Sequence, residues 1–256
     1  MPFEYVNIDE AIERPGLRMM VISGVPSGWG EAAKGIFHVK GIEWTAARLA
    51  YDNARLKGWA GMLSAPVAIY NDESPRPGWT EILMLAERLA SKPALLPSDP
   101  TQRALAFGLA HELCGEAGLG WSRRLQLVHA SLSNQGGFIK PIATYLGNKY
   151  GYHPVDGALW GPRVVVLLDM LTARLKAQHK VGSAYYVGDS LSAVDIYSAA
   201  FMAMFAPLPE AHCNMDAGIR AAFQTLDAPT QAALNPILLE HRDMMYQRHL
   251  ELPLSL

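Results

Sequence analysis

The sequence predicts a small α/β domain followed by a larger all-helical domain. Short apolar runs bounded by Gly and Pro occur in the N-terminal third, with helical periodicity between them. Beyond Pro97 the apolar residues recur almost throughout at helical spacing. The third observation is Ser192-Ala-Val-Asp195, a hydroxyl three residues ahead of a carboxylate and just before an apolar run. That is the spacing of a capping box, in which each side chain reaches a backbone N–H at the other position. Asp stands where Glu or Gln is more usual, so the reach is shorter. The helix it opens, through Ile196, Tyr197, Ala200, Phe201 and Met204, is apolar almost all round. Such a helix belongs inside a core, and its buried N-terminus needs its own cap.

Residues 1–16 read as an extension with a helical turn around Ile8 to Glu13, ended by Pro15-Gly16. Leu17 to Ser23 reads as a buried strand, and Gly24 to Gly30 as a turn cluster. Ala33, Ile36, Phe37 and Lys40 follow at helical spacing, with Gly41 as the stop. Ile42 to Arg48 alternates as a second strand, so strand, helix and strand suit a parallel crossover. Asn53 to Leu63 reads as irregular with room for a short helix, and Val67 to Tyr70 as a third strand. Pro75 and Pro77 stand where a fourth strand is due, which makes it an edge, very short, or absent. Trp79 to Ala90 is a helix with Ile82, Leu85, Ala86 and Leu89 on one stripe. This order is that of a thioredoxin-like domain over residues 17–90.

Residues 91–97, with Pro93 and Pro97, read as a linker to a helical domain over 98–256. Asp99 starts a helix through Ala117, and Gly118 to His129 continues or restarts it. Residues 131–160 read as a long irregular segment. Pro162 to Gln178 is a strong helix, then the capped helix from Ala193 to Phe205, then closing helices at Ile219 to Phe223 and Pro236 to Tyr246.

Composition narrows the function. Half of the residues are hydrophobic and the net charge is −2, with no basic run, which argues against nucleic acid as a partner. No stretch approaches the roughly 18 apolar residues of a membrane span. Met1 to Gly16 carries four acids and no apolar core, so it does not read as a secretory signal. Cys114 and Cys213 stand apart and read as buried small hydrophobes. The eight histidines are scattered, and no metal site is expected.

The stretch Tyr186-Val-Gly-Asp-Ser-Leu-Ser-Ala-Val-Asp-Ile196 resembles the motif that opens the central buried helix of glutathione S-transferases. With the α/β-then-helical order, the resemblance covers about Leu17 to Tyr246. It implies glutathione as co-substrate, a small hydrophobic electrophile as second substrate, a homodimer and a cytoplasmic location. It places Ser27 where serine-type members, such as the zeta class, keep the residue that activates the thiol. A hydroxyl donor and the positive end of a helix both favour a thiolate. Trp29 is a candidate wall of the same pocket. Ala65-Pro66 falls at the family's cis-proline, with Ala65 presenting its backbone to the cysteinyl part of glutathione. Glu81 falls at the acid that receives the γ-glutamyl group at a helix N-terminus. The next residue is Ile82 rather than the usual Ser, and Thr80 is the nearest hydroxyl. Lys57 and Trp59 are candidates for the glycyl carboxylate.

The plain alternatives are a turn serine at Ser27, a packed aromatic at Trp29 and a first-turn acid at Glu81. Trp121, Tyr145, Tyr150, Tyr152 and Trp160 supply aromatics of the kind that line an apolar pocket or simply fill a core. Three functional readings follow: a glutathione transferase, a non-catalytic binding or scaffold protein with the same fold, or a glutathione-dependent lyase, isomerase or ether-cleavage enzyme, which the sequence does not separate from the first. Ile82 and the broken fourth strand favour the second.

Overall fold

The N-terminal third folds as β1 (Tyr5–Val6), α1 (Ile8–Glu13), β2 (Leu17–Val21), α2 (Gly28–Val39), β3 (Thr45–Arg48), α3 (Ala54–Ala60), β4 (Val67–Tyr70) and α4 (Trp79–Leu89). The structure is a computed structural model, and it describes residues 5–256. The part of the expected extension at residues 1–4 lies outside the described residues. Within the rest of it, Tyr5 and Val6 pair parallel with Ala46 and Ala47. Two residues are too few for strand alternation to show in sequence.

The sheet order is β1-β3-β2-β4. β2 and β3 are parallel, whereas β4 runs antiparallel to β2. The second strand is shorter than expected, starting at Thr45 rather than Ile42. β2 is buried along its whole length, and the strand period splits its side chains between two faces. Leu17, Met19 and Val21 join the large core under α2 and α4, while Met20 meets Leu56, Val67 and Ile69 on the other face. Of the fourth strand one bridge remains: Arg76 exchanges bonds of 2.9 and 3.0 Å with Ala68. Pro75 and Pro77 flank it and have no N–H to extend the ladder.

The helical part comprises α5 (Pro100–Cys114), α6 (Leu119–Leu132), α7 (Lys140–Tyr150), α8 (Trp160–Lys180), α9 (Ala193–Phe201), α10 (Ala217–Gln224), α11 (Ala228–Ala233) and α12 (Pro236–Arg248). Short 3-10 turns stand at Pro154–Leu159 and Met202–Met204. The expectation of an irregular 131–160 segment is corrected: it holds the end of α6, all of α7 and a 3-10 turn. Pro141 sits in the first turn of α7, where a missing N–H costs nothing, and Gly151 closes the helix at φ 68°. α11 was also unforeseen, being too short to show a period.

Every residue of α9 is buried, in keeping with its all-round apolar sequence. At its start Ser192 N–H donates to the Asp195 carboxylate at 2.9 Å as the capping box requires, while the Ser192 hydroxyl donates to the same carboxylate at 2.7 Å and Asp195 N–H goes to Ser192 O at 3.1 Å. α9 also joins the two parts of the chain, because α2 packs along it. A methyl group added at Gly35 would stand 3.0 Å from Ile196, and one at Gly28 would stand 3.0 Å from the Phe201 ring. The linker is pinned as well. Buried Lys40 donates to the carbonyls of Ala90 and Pro93 at 2.6 and 2.8 Å, and Ala193 N–H donates to Leu95 O at 2.8 Å.

Candidate functional site

Ser27 is the N-cap of α2 and is buried, yet its hydroxyl makes no capping bond. At other helices Asn53, Asp99 and Asp227 each accept a first-turn N–H. The α2 start thus keeps N–H groups without a side-chain acceptor beside a hydroxyl not spent on them. Such a terminus carries partial positive charge.

Ser27 lines a cavity of about 310 Å³ where the α/β part meets α6, α7 and α10. Ala65 lines it from the start of β4, and the Ala65–Pro66 peptide is cis, as the resemblance implies. Ile22, Val25, Leu49, Phe138, Ile142 and Phe223 make much of the wall apolar. Tyr51, Tyr145 and Tyr150 add phenols, and Arg124 and Lys149 add two cations. Among the described residues no carboxylate side chain lines it.

Trp29 is the second residue of α2, beside the cavity. Its Nε1 donates to Cys114 O at 2.8 Å, its ring meets Phe201 edge-on at 4.8 Å, and it lies 6.2 Å from Tyr150. The Arg124 guanidinium sits over both aromatic faces, 5.1 Å from Trp29 and 5.3 Å from Tyr150. Gly120 makes this junction possible, since a Cβ there would fall 2.0 Å from Phe201 and 3.0 Å from Trp29.

Burial, then the neighbouring Arg124 charge, lowers the Lys149 ammonium pKa below its usual value. Burial and a hydrogen bond with Tyr145 raise that of the Tyr51 phenol. Burial also pushes the Cys114 thiol well up, so this cysteine is an inert neighbour rather than a nucleophile.

The other anticipated residues lie apart from the cavity lining. Thr80 and Glu81 stand in the first turn of α4, where the Glu81 carboxylate accepts Gly78 N–H at 2.9 Å. Ile82 is buried in the core under this helix. Lys57 is exposed on α3. Trp59 packs against the smaller core on the far side of the sheet, with Arg18 over its ring at 5.8 Å.

Of the aromatics singled out in sequence, Tyr145 and Tyr150 line the cavity. Trp121 backs Tyr150 edge-on at 4.7 Å, and Tyr152 bonds His129 at 2.9 Å. Sequence reasoning missed Tyr51, Arg124 and Lys149. The signal is the spacing of Ile142, Tyr145, Leu146 and Lys149 on one helix face, which the surrounding Gly, Asn and Pro residues hide. Among the described residues no group of three or more His, Cys, Asp or Glu side chains could hold a metal ion. No described helix is long and apolar enough to cross a membrane.

No protein-family model matches the chain, and no curated protein sequence matches it. Solved structures do. A glutathione S-transferase from Methylobacterium radiotolerans, in complex with glutathione sulfonate, aligns at TM-score 0.59 and 15% identity over 91% of each chain. A glutathione transferase family member from Pseudomonas fluorescens, with two glutathione bound, aligns at TM-score 0.61 and 10% identity, covering 91% of this chain and 89% of that one. A glutathione S-transferase from Methylobacillus flagellatus, with glutathione bound, gives TM-score 0.60 and 13% identity over 91% and 95%. The chain therefore has the glutathione S-transferase fold: a thioredoxin-like domain followed by a helical domain.

Proposed function

We propose that this protein is a glutathione transferase that ionises the glutathione thiol at Ser27 and passes the sulfur to a small electrophile in the adjoining cavity. The observation that carries the reading is the buried, non-capping Ser27 hydroxyl on the same cavity as Ala65 and an apolar wall. A free thiol has a pKa of about 8.5 and is mostly protonated at neutral pH. The Ser27 O–H donates to the sulfur, and the α2 N-terminus adds positive potential, so the thiol proton leaves to water more readily. The thiolate pair then forms the new C–S bond, and the electrophile's leaving group departs with its own bonding pair. Holding both reactants together supplies much of the rate.

In this reading the Ala65 backbone pairs with the cysteinyl unit, with Pro66 fixing its direction. Thr80, Glu81 and the α4 N-terminus receive the γ-glutamyl group, and Lys57 meets the glycyl carboxylate. Trp29 backs the pocket, and Trp59 positions α3. The solved relatives with glutathione or glutathione sulfonate bound support glutathione as co-substrate. A homodimer in the cytoplasm belongs to the same proposal. Exposed Met84 on α4 and Leu105 on α5 support the dimer, which light scattering tests.

Calorimetric titration with glutathione, read together with thiolate absorbance, tests the proposal. Binding with a lowered thiol pKa that rises again in Ser27→Ala supports it. No heat and no thiolate at millimolar glutathione overturns it. A second reading, a scaffold that has lost the chemistry, is favoured by Glu81 spending its carboxylate on Gly78 and by the buried Ile82.

A further inference from the structure

The cavity beside Ser27 has an uneven charge. Among the described residues that line it, two are cations and none is an acid. Arg124 rises from α6 and Lys149 from α7. Among the described residues neither has a carboxylate in salt-bridge range, although the chain forms such pairs elsewhere, as at Lys34–Glu31 and Lys40–Glu87. Among the described residues the buried Arg124 Nε has no hydrogen-bond partner, and the guanidinium rests on the Trp29 and Tyr150 rings. A buried donor left unmade is costly, and two like charges on one apolar wall repel. Natural sites keep such an arrangement where something supplies the missing negative charge.

From this we propose that the second substrate is an acid: a compact apolar body bearing a carboxylate or sulfonate held by Arg124 and Lys149. A planar guanidinium with free N–H groups suits an oxyanion in two-point contact. The phenols of Tyr51 and Tyr145, paired edge-on at 5.7 Å, stand at the same wall as further donors. A cavity of about 310 Å³ is at the small end for ligand sites, which suits a single ring or a short branched chain. The inference rests on the transfer reading for the reaction, but not for the binding of the acid.

The test uses 4-chloro-3-nitrobenzoate beside its methyl ester, a pair that differs in charge and little else. Calorimetric titration without glutathione measures binding alone. The acid is expected to bind at least tenfold tighter than the ester, and Arg124→Gln or Lys149→Gln to abolish that preference. Equal binding of acid and ester, or a preference unchanged in both variants, overturns the inference. Much of the Lys149 side chain reaches solvent while its ammonium end is partly buried, so Lys149→Gln keeps the test valid should Arg124→Gln fold poorly.

With glutathione added, the thiolate attacks the ring carbon bearing chlorine and chloride leaves with the C–Cl pair, its release giving the rate. No chloride release from either compound counts against the transfer reading and leaves the binding preference as measured. Both substitutions weakening glutathione itself, with the acid-to-ester ratio intact, assigns the cations to glutathione's carboxylates and overturns the inference.

Discussion

Asp195 Oδ1 lies 3.0 Å from His241 Nε2, with both side chains sealed from solvent. The same carboxylate accepts Tyr186 N–H at 2.8 Å, Ser192 N–H at 2.9 Å and the Ser192 hydroxyl at 2.7 Å. One buried acid therefore ties the loop before α9, the first turn of α9 and the middle of α12. Asp195→Ala should cost about 3–5 kcal/mol, because a buried carboxylate is removed and the four donors around it are left unmade. Asp195→Asn should lose nearly as much, because its amide turns a donor toward groups that already donate. Urea unfolding of the two variants checks this, and full stability in Asp195→Asn contradicts it.

The Ser27 hydroxyl makes no bond to its own helix, so Ser27→Ala separates chemistry from folding. Its stability should stay within about 0.5 kcal/mol of wild type. Turnover with glutathione should fall roughly 100-fold, as when one preorganised donor is removed from a developing anion. A variant that loses several kcal/mol of stability instead assigns Ser27 a structural role.

Gly120 lies where α6 crosses the Trp29–Phe201 contact. A Cβ there overlaps the Phe201 ring at 2.0 Å, with backbone on one side and a packed core ring on the other. Gly120→Ala should therefore destabilise by about 1–3 kcal/mol despite alanine's better helix propensity. It should also raise KM for the second substrate by moving Trp29. Thermal unfolding and steady-state kinetics on the same preparation read both effects.

Lys149 gives the cavity a pH dependence. Burial first, and Arg124 second, lower its pKa from the usual 10.5, so the folded chain loses this proton before the unfolded chain does. Binding of an arylcarboxylate should weaken as pH rises from neutral, with a midpoint below 10.5. Arg124, Tyr51, Tyr145 and Tyr150 share this wall, and the raised Tyr51 pKa keeps its phenol neutral across the range. Lys149→Gln should flatten the profile. In the same window the unfolded chain binds more protons, so Lys149's contribution to stability rises with pH.

Glu81→Ala distinguishes a cap from a clamp. Loss of the 2.9 Å bond to Gly78 N–H should cost about 1 kcal/mol or less, since the group is exposed. A glutathione Kd that also rises about tenfold, by calorimetry, places the γ-glutamyl group at this terminus. An unchanged Kd leaves Glu81 as a cap alone.

Local signals were legible wherever one element carries its own evidence. The stripe of α4 and the capping residues ahead of α5 and α9 need only short-range sequence. Tyr5–Val6 and α11 are too short to show a period, and the glycines and Pro141 masked α7 although each is tolerated at its actual place. The cis Ala65–Pro66 peptide agrees with what the resemblance implies, because a turn fixed by order along the chain carries over within one fold.

By itself, the sequence determined the α/β-then-helical order and the buried capped helix, and it put Ser27 in the turn ahead of a helix at Glu31, which the structure starts earlier, at Gly28, with Ser27 as its N-cap. Those follow from periodicity, glycine and proline placement, and the reach of one side chain along its own backbone. Only the tertiary structure decided that Trp59 lies under the sheet and that Arg124 and Lys149 join Ser27 at one cavity. Arg124 and Lys149 stand on different helices, 25 positions apart in the chain. Their common environment depends on how α6 and α7 pack against the head of α2, which no local pattern records.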